Sequence, residues 1–194
     1  MANTLFPVFL NIENLNLLVI GGGSVGLEKV TSIFRNSPQT KVHLIAPEIC
    51  TGISQLAKKH PSLILQQKKY APDDLRDMDI VVAATSISVL NKQIWADAKM
   101  RKILINVADT PALCDFYMCS IVQKGNLKIG ISSNGLSPTI TKRLREALED
   151  ALPEEIDELL KNLKDIRETL KGDFEYKVKK MNEITSVFKE QPKK

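Results

Sequence analysis

The 194-residue sequence predicts an α/β fold, and three observations carry that expectation. Short apolar runs that read as buried strands alternate with stretches of helical periodicity from Leu17 to Asp109. The first run, Leu17-Leu18-Val19-Ile20, passes straight into Gly21-Gly22-Gly23-Ser24-Val25-Gly26, a Gly-x-Gly-x-x-Gly pattern at a strand-to-helix junction. The next apolar run, Lys41 to Ala46, closes a βαβ unit of about 30 residues, the usual length of that motif. Together these predict a Rossmann-type parallel sheet, followed by a β-hairpin and helix and then a small C-terminal helical domain.

Taken in order, Leu5 to Ile12 is apolar with Pro7 inside it, which suits either an edge strand or an extended lead-in. Leu17 to Ile20 is the first strand. Val25, Val30, Ile33 and Phe34 then give one face of a helix from Val25 to Asn36, which Ser37-Pro38 stops. After the second strand, Ile49 to Lys59 reads as a helix, Leu63 to Gln67 as a short strand and Asp79 to Thr85 as a buried parallel strand. Ser88 to Arg101 is the next crossover helix, with Ile94, Trp95 and Ala98 inward; Trp95 is read as packing. Ile103 to Asp109 is the last parallel strand, its carboxyl end on the same edge as Gly21 and Thr85. Ligands of open α/β sheets sit outside that edge.

Beyond Asp109 the pattern changes. Phe116 to Val122 and Leu127 to Ser132, joined through Lys124-Gly125-Asn126, read as an antiparallel hairpin. Ser137-Pro138 supplies a cap and a first-turn proline for a helix from Thr139 to Leu152, which Pro153 closes. From Glu154 to Phe188, apolar residues at helical spacing around a Gly172-Asp173 break predict two helices with solvated faces, Asp157 and Lys161 pairing at i,i+4. The tail Lys193-Lys194, after Pro192, is read as solvated. The expected division is 1–115 for the nucleotide-binding domain, 116–152 for a dimerisation region and 153–194 for the helical domain.

A net charge of +4 with 26% charged residues, six Phe, three Tyr and one Trp shows no basic-aromatic interleaving, so nucleic acid is not an expected partner. No apolar run approaches the roughly 18 residues of a membrane span, and no leader pattern opens the chain, so a soluble cytoplasmic protein is expected. Cys50, Cys114 and Cys119 are odd in number and lack zinc-like pairing, so small buried or incidental side chains are expected of them ahead of a metal site or disulfide.

The glycine pattern carries the chemistry. Gly21 makes the turn, Gly23 lets backbone approach a pyrophosphate, and Gly26 lets the helix lie close to the strand. Gly21, Gly23, Ser24, Val25 and Gly26 thus form the expected cradle, its helix-start N–H groups facing an anion. The alternative is a glycine-rich turn with no ligand. An acid usually ends the second strand to bind the adenosine ribose; here the strand runs into Pro47 and Glu48, leaving Glu48 a displaced candidate. No Arg or Lys follows closely, which favours NAD over NADP. Thr85 lies on the nicotinamide side. Asp109 suits two readings: a carboxylate beside the nicotinamide, or the residue that starts the Thr110-Pro111 turn.

Six ordered patches carry a resemblance: Pro7 to Leu10, Val19 to Gly26 with Lys29, Val82 to Thr85 followed by Asn91, Asn106 to Asp109, Phe116 to Met118, and Ile131 to Pro138 with Leu144-Arg145. In them the chain resembles the precorrin-2 dehydrogenase family, which includes bifunctional enzymes that also insert iron into sirohydrochlorin to make sirohaem. The resemblance implies NAD-dependent oxidation of precorrin-2 to sirohydrochlorin, a tetrapyrrole substrate with Fe2+ as a second substrate in bifunctional members, and a homodimer formed through the hairpin and following helix. It implies further that the C-terminal helices cap the tetrapyrrole cleft. Asp109 matches the family's essential aspartate and is read as the proton acceptor, while Ser133 matches a serine near the active site. The helix start at Ser137-Pro138-Thr139, with Lys142, Arg143 and Arg145, would face substrate carboxylates. Three departures stand out: Cys119 where relatives usually have proline, Asn134 where many have glycine, and no acid at the second strand's end. Cys119 is read either as a thiol ligand for iron or as a small buried side chain. A reading from another class is a non-catalytic NAD-sensing domain; it calls for an acid ending the second strand and none beyond the last, the reverse of the order here.

Overall fold

The computed structural model describes residues 3–186, so the expectations for Phe188 and the Lys193-Lys194 tail lie outside the described residues. The chain divides into two units, Thr4–Met118 and one that begins at Cys119.

In the first unit the parallel strands β1 (Asn16–Ile20), β2 (Lys41–Ala46), β3 (Leu63–Gln67), β4 (Ile80–Ala83) and β5 (Leu104–Val107) stand in the order β3-β2-β1-β4-β5. Helices α1 (Ser24–Asn36), α2 (Thr51–Lys59) and α3 (Ser88–Met100) cover both faces. The two-residue period of each strand divides its side chains between the layers. Leu17, Val19, Val42, Leu44, Ile80 and Val82 meet Val30, Ile33 and Phe34 of α1 and Ile53 of α2. Leu18, Ile20, Ile45, Val81, Ala83, Ile105 and Val107 meet Ile94 and Ala98 of α3, with Trp95 packed alongside. With both faces covered, these strands are apolar runs rather than alternating ones, which is why the sequence signals them so clearly. The strand order reverses between β1 and β4, and the carboxyl ends there form the switch point where ligands of this architecture bind.

Two expectations are corrected or resolved. Leu5 to Ile12 forms no strand: the segment is a lead-in without regular structure that runs into a 3-10 turn, Ile12–Asn14, and Phe6 and Phe9 are exposed. Phe116 to Met118 is not part of the hairpin. Asn106 Nδ2 donates to Phe116 O at 2.9 Å, and Phe116 and Met118 pack on the first layer's core, so the hairpin strand begins only at Ser120. The reason is the exposed edge of β5, whose unpaired backbone needs partners. Asp115 N–H donates to Ile105 O at 2.8 Å, Asp115 Oδ2 accepts Ile105 N–H at 3.1 Å, and Cys114 Sγ accepts Val107 N–H at 3.3 Å. Chain that reads as strand is held there instead as an edge seal.

The second unit pairs β6 (Ser120–Lys124) with β7 (Leu127–Ile131) and adds α4 (Pro138–Ala151), α5 (Ile156–Thr169) and α6 (Phe174–Ile184). Ser137 Oγ caps α4 by accepting Ile140 N–H at 3.3 Å, and Asp173 caps α6 by accepting Tyr176 N–H at 2.8 Å. Asp157, expected only to face solvent beside Lys161, also ties α5 to the hairpin turn. Its Oδ1 accepts Asn126 N–H at 2.6 Å and Asn126 Nδ2 at 2.8 Å, while Lys161 Nζ stands 2.7 Å from Oδ2. Gly125, at φ +54°, leaves that space clear: a Cβ there would collide with the Asp157 carboxyl.

Lys161 and then the Asn126 donors hold the Asp157 carboxyl down from 3.8 to about 2. A carboxylate whose folded pKa is depressed contributes stability above its unfolded value and loses it as pH falls through the folded one. The tie therefore persists on acidification and opens near pH 2, which NMR of the Asp157 carboxyl carbon and the Asn126 amide reads directly. A midpoint at the ordinary 3.8 would contradict the tie.

Candidate functional site

At the end of β1 three glycines are fixed by backbone that approaches too closely for any side chain. Gly21, at φ +132°, donates its N–H to Ile45 O at 2.9 Å, and a Cβ on it would stand 2.3 Å from Ala84 O. A Cβ on Gly26 would stand 2.1 Å from Gly21 O, so the first turn of α1 lies directly on the strand end. Gly22 had no role in the sequence reading, yet a Cβ there would stand 2.1 Å from Glu48 O, and Cys50 N–H donates to Gly22 O at 2.9 Å. Nothing in the local pattern signals this; only the approach of the β2–α2 loop demands it.

Gly23 differs. A Cβ on it would meet no atom within 4 Å, and it caps α1 with no side chain, ahead of a first turn that holds no acid. The N–H groups that open α1 thus face free space with the positive end of the helix behind them. Closed at Gly21, Gly22 and Gly26 and open at Gly23, this cradle fits the pyrophosphate of a dinucleotide.

The other predicted residues of the first unit collect along the same carboxyl edge. Pro47 and Glu48 are exposed just past β2, their loop laid against Gly22 and steadied by Gln67 Nε2 donating to Pro47 O at 3.1 Å. Thr85 follows β4, but its hydroxyl turns back into its own loop. It donates to Asn91 Oδ1 at 2.7 Å and accepts Ile87 N–H at 3.2 Å, while Asn91 Nδ2 returns to Thr85 O at 3.0 Å.

Asp109 stands in the turn that one of its two readings expects. Thr110 N–H closes on Val107 O at 3.2 Å over a turn in which Asp109 sits at φ +55°, and the residue is exposed beyond the end of β5. A left-handed conformation costs a non-glycine residue roughly 1–2 kcal/mol, and Asp is among the few that adopt it. The loop is held from behind by Cys114, whose Sγ lies 3.2 Å from Val107 O and 3.4 Å from Thr110 O. Burial pushes this thiol up, so it stays protonated and able to donate. All three cysteines are free, and among the described residues no group of His, Cys, Asp and Glu is arranged to hold a metal ion.

In the second unit, Ser133 lies in the loop before α4. Leu136 N–H donates to Ser133 O at 3.1 Å across Asn134 (φ +55°) and Gly135 (φ +77°), and Ser133 Oγ accepts Ser137 N–H at 3.1 Å. Two left-handed residues in succession mark a type I′ turn, and Asn is the side chain that best replaces glycine at its first position. Lys142 and Arg143 are exposed and share Glu146, at 4.0 and 2.9 Å. Arg145 is half-buried and gives its guanidinium to both oxygens of Glu149, at 2.9 and 2.8 Å.

The two middle glycines separate structure from binding. Gly22→Ala is expected to cost about 1–3 kcal/mol of folding stability, the usual scale of overpacking. Gly23→Asp is expected to change stability by less than about 0.5 kcal/mol while weakening dinucleotide binding roughly 100-fold, since it places a charge in pyrophosphate space. Urea unfolding and calorimetry on both variants read this; a Gly23→Asp protein that binds like the parent would contradict it.

Residues 8–120 match the model of the family described as "Putative NAD(P)-binding", and residues 124–151 match that of the "Sirohaem biosynthesis protein central" region. Among curated relatives, the siroheme synthase of Nitrosomonas europaea is 34% identical over 147 residues, which are 76% of this chain and 30% of that protein. The siroheme synthase of Nitrosococcus oceani is 36% identical over 148 residues, 76% of this chain and 31% of that protein. The chain thus spans about a third of the length of the curated relatives it matches. Among solved structures, "SirC, precorrin-2 dehydrogenase" superposes with a TM-score of 0.72 at 23% identity, covering 93% of this chain and 89% of that one, and shares its fold. Because the first family model spans more than half of its residues, the chain belongs to that NAD(P)-binding family, and the residues directly behind it match the central region of sirohaem biosynthesis proteins.

Proposed function

We propose that this chain oxidises precorrin-2 to sirohydrochlorin with NAD+ as the oxidant. The observation that carries the reading is Asp109, an exposed carboxylate held in a left-handed turn at the end of β5, on the sheet edge that holds the open glycine cradle. A bound NAD+ supplies a hydride acceptor. The chain's own residues supply the rest. Gly23, Ser24 and Val25 hold the pyrophosphate, with Gly21 and Gly26 allowing the close approach; Pro47 and Glu48 flank the adenosine, and the Thr85 loop walls the nicotinamide side. Two electrons and one proton leave precorrin-2 as hydride, and Asp109 takes the remaining proton. Its place in a solvent-open turn lets that proton pass to water.

Glu48 supports NAD rather than NADP, because an exposed acid proposed to lie beside the adenosine, with no Arg or Lys following it closely in the sequence, repels a 2′-phosphate. For the polycarboxylate substrate, Ser133, the start of α4, Lys142 and Arg143 offer donors, with Arg145 ordering that helix through Glu149. If iron insertion accompanies oxidation, iron is a substrate and Asp109 is the base for the pyrrole protons.

The segment 116–152 is proposed to form a homodimer contact and 153–194 to cap the substrate. Support for the dimer comes from Leu136, Ile140 and Leu144, spaced by four and 86, 50 and 47% exposed, beside a two-stranded sheet in which only Val122 is buried. A hairpin with so little core of its own gains from a partner.

Incubation with precorrin-2 and either NAD+ or NADP+, followed by the absorbance of reduced nicotinamide, tests the reading. Turnover is expected with NAD+ preferred, and Asp109→Ala is expected to lower it by roughly 100-fold or more, the scale of lost general-base help, with dinucleotide affinity kept. Asp109→Ala turnover within about threefold of the parent would contradict the assignment.

A further inference from the structure

We infer that Asn91 is a positioning residue of the dinucleotide site, whose amide fixes the Thr85–Ile87 backbone against the glycine turn; the inference rests on the NAD reading above. Asn91 lies in the opening turns of α3 with 6% of its surface exposed. A buried amide is costly unless its donors and acceptor are bonded. Both of its described bonds go to one residue: Oδ1 accepts from the Thr85 hydroxyl, and Nδ2 donates to the Thr85 carbonyl. The hydroxyl in turn accepts Ile87 N–H, which closes the loop on itself.

Beside these bonds the loop has a 3.3 Å contact from the Thr85 hydroxyl to Ile87 O and, at the head of α3, the Asn91 N–H donated to Ile87 O at 3.0 Å. Ser86, Ile87, Ser88 and Val89 are all exposed, and Ile87, at the cap position of α3, has no side-chain acceptor to offer the helix start. Yet the placement of the loop is demanding. Ala84 O and Thr85 N lie 2.3 and 3.1 Å from the point where a Gly21 Cβ would stand, so the β4 end and the glycine turn share one narrow space. Without the Asn91 amide, the Thr85 carbonyl loses its Nδ2 donor and the hydroxyl exchanges a 2.7 Å acceptor for the longer contact to Ile87 O at 3.3 Å. The wall that faces the dinucleotide then moves, while Asp109, on a different loop, keeps its place.

The test measures NAD+ affinity and the KM and kcat for NAD+ in the full chain and in Thr85→Val, Thr85→Ser, Asn91→Leu and the Thr85→Val/Asn91→Leu pair. Each of Thr85→Val and Asn91→Leu is expected to weaken NAD+ binding roughly tenfold, on the scale of leaving one polar partner unpaired. The loss should fall on KM rather than kcat, because the proton acceptor is untouched. Thr85→Ser should recover most of what Thr85→Val loses. The double variant should bind no more than about twofold less tightly than the weaker single, as coupled partners do. Should Asn91→Leu fail to fold, the Thr85→Val and Thr85→Ser comparison carries the test, since that residue is only half-buried. Affinity within about twofold of the parent in the folded single variants, or losses that simply add, overturns the inference alone. A parent that binds neither NAD+ nor NADP+ overturns the dinucleotide reading and this inference with it.

Discussion

Three backbones converge where β1 ends. Gly21 O stands 2.1 Å from the position of a Gly26 Cβ, Ala84 O stands 2.3 Å from that of Gly21, and Glu48 O stands 2.1 Å from that of Gly22. The close approach of helix, neighbouring strand end and neighbouring loop leaves no room for side chains, so each surrounding element is placed by it. It aims the start of α1 across the carboxyl edge and brings the Pro47-Glu48 and Thr85 loops alongside. In a folded chain, polar backbone groups need partners, and the turn satisfies Gly21 N–H through Ile45 and Gly22 O through Cys50. N–H groups at the head of a helix lack partners within it, and an anion placed there is stabilised.

The same economy of partners explains the far side of the sheet. As the last strand, β5 would present an unpaired edge, and the chain after Asp109 returns to seal it with Asp115 and Cys114. That return forces a sharp turn at the end of β5, which places Asp109 in a left-handed conformation with its carboxylate outward. Strain at this position is therefore a consequence of edge protection that leaves a carboxylate where chemistry is proposed to use it.

Much of this was legible in the chain. The bounds of β2 and β3 coincide with the sequence reading because both strands are bracketed by turn residues, Gln39-Thr40 and Pro47 around one, Pro61-Ser62 and the lysine pair after Gln67 around the other. The Gly21, Gly23 and Gly26 spacing was legible as a strand-to-helix pattern, although the backbone that crowds Gly21 comes from Ala84, far along the chain. What stayed hidden depends on distant chain. Gly22 is dictated by a loop some 25 residues on, and Phe116 by an edge strand whose need for partners no local apolar count reveals. Asp157 shows the same limit in the second unit: the i,i+4 pair with Lys161 was visible, while its bonds to the hairpin turn were not.

The central claim is that the open head of α1, framed by the loops after β2 and β4, is where the dinucleotide lies. Titrating NAD+ into isotopically labelled protein and following backbone amide resonances tests it most directly. The account predicts the largest displacements at Gly23, Ser24 and Val25, with smaller ones at Glu48 and at Ser86 and Ile87. Saturable binding that leaves the amides of Gly23 to Val25 unmoved, with displacements gathered elsewhere, would contradict it.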